Sequence, residues 1–218
     1  MATQGGLVIG LQALALWVPY LAGWSAIRRG LPDRLPRPTP TAIAIWLLVT
    51  LPSAYGLLVP EIYARLSRDV DRINDGEWWR LVTANVVQDG GWVGAIFNIT
   101  TLAVTLCLVG ALVSGPILIA AFTTFGIAAN LMVALLLPHN GGGNSMATMA
   151  VILCVAAATT VRQRRWRAGL PALGLAAAAG ATLLLVRDGH GIAILLGLVS
   201  GCLVGASGWL HSSLSREA

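Results

Sequence analysis

Ser145 stands directly after Gly141-Gly142-Gly143-Asn144 and opens an apolar stretch over residues 145–161. The start of a helix leaves backbone N–H groups unpaired and concentrates positive potential there. A serine at that point is either a simple N-cap or a nucleophile whose oxyanion those N–H groups stabilise. The glycines before it allow the backbone to approach a substrate closely. His190 opens the last apolar stretch, and Gly197, Gly201 and Gly205 follow on nearly the same helical face. Such a small-residue stripe lets two membrane helices pack at close range, so it aims the histidine at whichever helix packs on the glycines. An ionisable group facing a bundle at membrane depth is a functional candidate. Asn98 lies one to two turns inside a third stretch and is either a helix–helix hydrogen-bonding amide or an oxyanion donor. Serine, histidine and asparagine at one end of the membrane make the set needed for a serine nucleophile, its base and an amide donor. Gln12 and Asn130 read as packing residues, and His139 as a solvated loop residue. His211 lies past the last span. Asp188, two residues before His190, is expected to face water and not to complete a triad.

The elements that must hold these side chains are membrane helices. Of the 218 residues, 56% are apolar and only 11% charged, with a mean hydropathy of +0.77. A soluble domain of this length carries far more charge. Seven stretches, about 7–26, 42–60, 92–113, 116–137, 145–161, 168–186 and 190–210, are long enough to cross roughly 30 Å of hydrocarbon. They consume most of the chain and leave room for one membrane domain. The residues before the first stretch carry no Lys or Arg, which is unlike a signal peptide. All 14 basic residues are Arg. Arg28, Arg29, Arg34 and Arg37 follow the first stretch, and Arg162, Arg164, Arg165 and Arg167 follow the fifth; alternation puts both groups on one face. The positive-inside rule makes that face cytoplasmic, with the N-terminus outside. Glu61, Asp69, Asp71, Asp75, Glu77, Asp89 and Asp188 fall on the opposite face. The net charge of +5 is therefore a topology signal and carries no implication of nucleic acid. Cys107, Cys154 and Cys202 all fall inside spans and read as small packing residues with no disulfide framework. The Lys-free composition points to a GC-rich bacterial source and hence to a bacterial cell membrane.

The expected organisation is an extra N-terminal helix over 1–27, a cytoplasmic Pro- and Arg-rich linker over 28–41, a six-helix core over 42–210 and a tail over 211–218. Within the core, 61–91 is the only long loop, on the outer side. Ile62, Leu66, Val70 and Ile73 recur there at helical spacing, which suits either a short helix lying in the membrane interface or an ordinary interfacial loop, the helix being the expectation. Trp78, Trp79 and Trp92 sit where an aromatic belt would anchor it.

Several of these segments together resemble the rhomboid family of intramembrane serine proteases, over roughly residues 42–210. Gly76-Glu77-Trp78-Trp79-Arg80-Leu81-Val82-Thr83 is similar to the family's Trp-Arg segment. Gly143-Asn144-Ser145-Met146-Ala147 resembles its Gly-x-Ser-Gly nucleophile motif, with small residues at Ala147 and Ala150 where the family keeps them small. His190 with Gly197 and Gly201 resembles its histidine helix, and Asn98 falls where the family has an oxyanion-hole asparagine. No single motif is specific; four in the right order and on the right helices are. The resemblance implies an all-α, rhomboid-like six-helix bundle plus one extra helix. It implies that Ser145 attacks a peptide carbonyl of a transmembrane substrate, with His190 as general base. Asn98, the Ser145 N–H and the close backbone at Gly143 would receive the oxyanion and substrate, without cofactor or metal. Two positions depart from the pattern. The family has a histidine four residues before the asparagine, where this chain has Gly94, and a glycine after the nucleophile, where it has Met146.

Three functions follow. The first is an intramembrane serine endopeptidase acting near the outer face. The second, favoured by Gly94 and Met146, is a proteolytically inactive relative that binds the transmembrane helices of partners. The third, a transporter or channel component, is disfavoured because the spans hold no Asp, Glu, Lys or Arg apart from residues at helix ends. No His-Glu-x-x-His zinc motif and no pair of intramembrane aspartates is present.

Overall fold

A computed structural model describes residues 2–31, 35–164 and 166–207, with 2–13, 166 and 168 described by backbone alone. The expected tail over 211–218, His211 and the side chain of Gln12 lie outside what is described. A helix forms at each of the seven apolar stretches, and no strand is present among the described residues. The long helices are α1 (Ala2–Arg28), α2 (Pro40–Leu58), α6 (Gly91–Gly110), α7 (Gly115–Leu136), α8 (Ser145–Arg162), α9 (Trp166–Leu185) and α10 (His190–Ser207). Among the described residues, α2, α6, α7, α8 and α10 are five helices long and apolar enough to cross a membrane. The architecture is that of a multi-pass α-helical membrane protein. Short helices α3 (Pro60–Leu66), α4 (Val70–Asn74) and α5 (Arg80–Thr83) and a 3₁₀ turn, Ala84–Val86, lie between α2 and α6.

Local sequence sets the helix ends. Thr39 caps α2 by accepting from the Ala42 N–H at 3.2 Å, with Pro40 at the first helical position. Such a proline gives up an N–H that would be unpaired in any case. The helix thus begins two residues before the apolar run.

At the centre of the bundle is α8. It runs buried on nearly every side, with α1, α6, α7, α9 and α10 packed around it. The glycine stripe on α10 packs against α8. A Cβ at Gly197 would fall 2.5 Å from the Ala150 carbonyl oxygen, one at Gly201 would strike that of Cys154, and one at Gly205 would fall 2.8 Å from that of Ala158. Three contacts at four-residue spacing on both helices bring the two backbones together as small-residue packing requires. This is the contact that sets His190 against Ser145. The three cysteines are free.

The first helix, α1, packs against α9, α8 and α6. Tyr20 is fully buried, the Trp24 indole donates to Thr105 Oγ1 at 3.0 Å, and Trp17 meets Phe97 edge to face at 4.7 Å. Arg29, Leu112, Gln163 and Gly169 line one small cavity, so the end of α1, the α6–α7 turn and the α8–α9 turn share one end of the bundle. Arg68, Asp89, His139, Asp188 and His190 gather at the other.

The stretch with helical spacing over 62–73 is two helices, not one. The chain breaks at Ser67–Asp69 because Arg68 turns inward: its backbone exchanges hydrogen bonds with Gly141, 2.7 and 3.0 Å, in an isolated bridge. Trp78, Trp79 and Trp92 are exposed, as an interfacial belt requires. Arg80 beside them is 1% exposed and donates to Glu77 Oε2 at 2.6 Å, to the Ala64 carbonyl at 3.0 Å and to the Ser67 carbonyl at 2.9 Å. It fastens α5 to the end of α3. Arg80→Ala leaves the Ala64 and Ser67 carbonyls without their donor, while Glu77, 29% exposed, can turn to water, so it is expected to lower unfolding stability by about 1–3 kcal/mol, read as a shifted midpoint in detergent denaturation.

Candidate active site

The glycine-rich loop over 138–144 is held from two sides. Arg68, 3% exposed, donates from Nε to the His139 carbonyl at 3.0 Å and from Nη1 to Asn130 Oδ1 at 2.5 Å. Asn130 is therefore more than a packing residue, since its Nδ2 also donates to the Leu81 carbonyl at 3.1 Å. Burial pushes the Arg68 guanidinium below its ordinary range, opposed by the neighbouring Asp89 carboxylate. Asp89 in turn accepts from the Gly142 N–H at 2.8 Å and from the Tyr63 hydroxyl, whose ionisation burial and that carboxylate push well up. Gly141 and Gly143 take φ of +157° and +152°, where a side chain is strained. A Cβ on Gly142 would fall 2.9 Å from Val87. The loop is thus clamped so that its last residues feed straight into α8.

Asn144, not Ser145, takes the N-cap position. Ser145 is the first helical residue and its hydroxyl is not spent on capping: Oγ lies 2.8 Å from His190 Nε2. On the other side of the imidazole, Nδ1 lies 2.6 Å from Asp188 Oδ1. An ionised carboxylate only accepts hydrogen bonds, so Nδ1 carries the proton and Nε2 presents its lone pair to the serine. The Ser145 O–H therefore donates to His190, as a general base requires.

The position of Asp188 corrects the expectation that it faces water. Its side chain is 12% exposed and points at His190. The cause is the end of α9. Asp188 N–H bonds to the Leu183 carbonyl and Arg187 N–H to that of Leu184, at 2.8 and 2.9 Å, with Arg187 at φ +59°. This is a Schellman turn. It reverses the chain so that Asp188 also accepts from the His190 backbone N–H at 2.9 Å and seats the start of α10. His139 is exposed, with Nδ1 2.7 Å from the Leu137 carbonyl, as a solvated loop residue should be.

Asn98 sits on α6 facing this loop. Its Nδ2 would lie 3.4 Å from a Cβ built on Gly143, and Ser145 Oγ would lie 3.5 Å from the same point. Amide, glycine and serine hydroxyl therefore share one small volume. The Gly143 N–H is itself committed to the Ala84 carbonyl at 2.8 Å, so Gly143 contributes closeness of approach and no donor. Beside Ser145 and His190 is a cavity of about 70 Å³, lined also by Met146, Gly143 and Asp188. Met146 points away from lipid, into a buried cluster with Val133, Ala150 and Ile192.

Gly94 has a local reason. The turn Asp89-Gly90-Gly91 starts α6, and a Cβ at position 94 would strike the Asp89 carbonyl oxygen. Gly94→His is therefore expected to lower stability and to raise no activity, checked by denaturation midpoint and reaction rate together.

Sequence reasoning passed over three residues that the site depends on, Arg68, Gln88 and Asn144, and read a fourth, Asn130, as packing. Each is 3% exposed or less. The available signal was polarity out of place, since an amide or guanidinium beside an apolar run must find a partner. Compared with known proteins, the chain matches no family model, no curated protein and no solved structure.

Proposed function

We propose that this protein is an intramembrane serine endopeptidase of rhomboid type, cleaving transmembrane substrates near the outer face of the membrane. The observation that carries this reading is the 2.8 Å contact between Ser145 Oγ and His190 Nε2 at the N-terminus of a buried membrane helix. Ser145 adds to the scissile carbonyl while His190 takes its proton and later returns it to the leaving amine. The oxyanion is received by the first N–H groups of α8, which have no intrahelical acceptor, and by the Asn98 amide. Asp188 holds the imidazole tautomer and offsets the charge that forms on it. The Arg-rich end of the bundle faces the cytoplasm.

The test is reconstitution into liposomes with a panel of tagged single-span reporter proteins. The account predicts a discrete cut within or beside the reporter's span, absent with Ser145→Ala. A second reading, a proteolytically inactive protein that binds partner helices, is favoured by Gly94 and by the small Met146-lined cavity. It predicts reporter capture without cutting, unchanged by Ser145→Ala.

A further inference from the structure

Behind Asn98 lies a closed relay of side-chain amides whose direction is fixed by geometry. Gln88, 3% exposed, donates from Nε2 to Ser53 Oγ at 3.0 Å and to Asn144 Oδ1 at 2.8 Å, and its Oε1 accepts from Asn98 Nδ2 at 2.8 Å. Amide nitrogen and oxygen have nearly the same shape, so such a network has a meaning only if something sets its polarity. Here two backbone carbonyls do so. Ser53 has one hydroxyl proton, and it goes to the Val86 carbonyl, 3.1 Å away, which can only accept. Ser53 Oγ must then accept from Gln88, which places the Gln88 nitrogen toward Ser53 and its oxygen toward Asn98. From the other side, the Asn98 backbone carbonyl accepts from Asn144 Nδ2 at 3.2 Å. That turns Asn144 Oδ1 toward Gln88, which must again present its nitrogen. Two independent anchors give Gln88 the same orientation.

Resting on the serine-hydrolase reading above, we infer that Gln88 is the positioning residue that makes Asn98 an oxyanion donor. With Oε1 of Gln88 facing it, the Asn98 amide must present its NH₂ group and not its carbonyl at the end of the side chain beside Gly143 and Ser145. An amide NH₂ has two N–H bonds. One is held by Gln88 and the other is left for an oxyanion. The reversed amide would put a carbonyl oxygen there and repel the oxyanion. Position 94 is closed to a side chain by the Asp89 carbonyl, so Asn98 is the side chain on α6 that carries this duty and its orientation matters correspondingly.

The experiment uses the full chain in detergent and a fluorophosphonate probe, whose phosphonyl oxygen sits where the oxyanion would. Labelling rates are measured for wild type, Asn98→Ala, Gln88→Met and the double variant, each with its denaturation midpoint. Gln88→Met keeps length and loses both polar ends. It is expected to slow labelling roughly 10- to 100-fold, somewhat below the loss of a whole donor. The double variant is expected to be no slower than Asn98→Ala alone, because Gln88 acts only through Asn98. Should Gln88→Met not fold, Ser53→Ala removes one small hydroxyl and one anchor. It is expected to give a smaller loss that disappears in the Asn98→Ala background. A folded Gln88→Met labelling at the wild-type rate, or losses that multiply in either double variant, overturns the inference and leaves the hydrolase reading standing. A folded wild type that takes no label overturns both.

Discussion

Alanine at Ser145 or at His190 is expected to lower cleavage of a transmembrane reporter by roughly 10⁴- to 10⁶-fold while leaving the denaturation midpoint nearly unchanged. The size follows from the two groups working as one unit. Without the hydroxyl there is no covalent intermediate; without the imidazole the serine proton has no acceptor at 2.8 Å. Losses of this kind are not additive, so the double variant should be no worse than either single one. The small effect on folding follows from position. Ser145 is a first-turn residue whose hydroxyl caps nothing, and His190 is 26% exposed at the start of α10. The α8–α10 contact is made by Gly197, Gly201 and Gly205, which neither substitution touches. A rate assay in liposomes with parallel denaturation checks both halves.

The second large effect is expected at Asp188, and it depends on which residue replaces it. Asp188→Ala removes the acceptor for Nδ1 and for the His190 N–H together, freeing both the tautomer and the ring orientation. Loss of a comparable aspartate in a serine hydrolase costs on the order of 10⁴-fold. Partial exposure of Asp188 places its expected loss in the range of roughly 10²- to 10⁴-fold, with solvent screening part of its charge. An asparagine whose amide nitrogen faced the ring would impose the wrong tautomer and cost about 10⁴-fold, but Asp188→Asn is expected to be milder than Asp188→Ala because its amide oxygen can take the place of Oδ1. The same Oδ1 accepts from the ring and from the backbone N–H, and the backbone donor holds the asparagine carbonyl in place. The tautomer then survives and only the charge opposite the imidazolium is lost. Rates for the two variants at one pH separate orientation from charge.

What was legible in the sequence was whatever depends on periodicity and composition. Hydropathy placed a helix at each of the seven stretches, five of them long and apolar enough to cross a membrane, because crossing hydrocarbon constrains length and polarity locally. The spacing of Gly197, Gly201 and Gly205 showed that α10 needs a close partner, and that partner is α8. What escaped depends on chain reversals and on residues far apart in sequence. Asp188 looked like a surface acid because its role is created by the Schellman turn at Arg187, where a non-glycine residue occupies the left-handed region. The pairing of Gln88 with Asn144 spans 56 residues and joins a loop to a helix start. The break at Ser67–Asp69 exists because Arg68 pairs with Gly141, 73 positions further along the chain, and no window of local spacing contains both. Apolar positions obey a period; buried polar ones obey the need for a partner, and the partner is set by the fold.

The most direct test of the central claim is treatment of the purified full chain with a fluorophosphonate, followed by mass spectrometry of its peptides. The serine oxygen displaces fluoride from phosphorus and its proton passes to the imidazole, so the reaction reports an activated hydroxyl without any knowledge of the substrate. The account predicts a single phosphonyl adduct, on Ser145, that is lost when His190 is alanine. A folded wild type with no adduct, or with an adduct on a different serine, would contradict it.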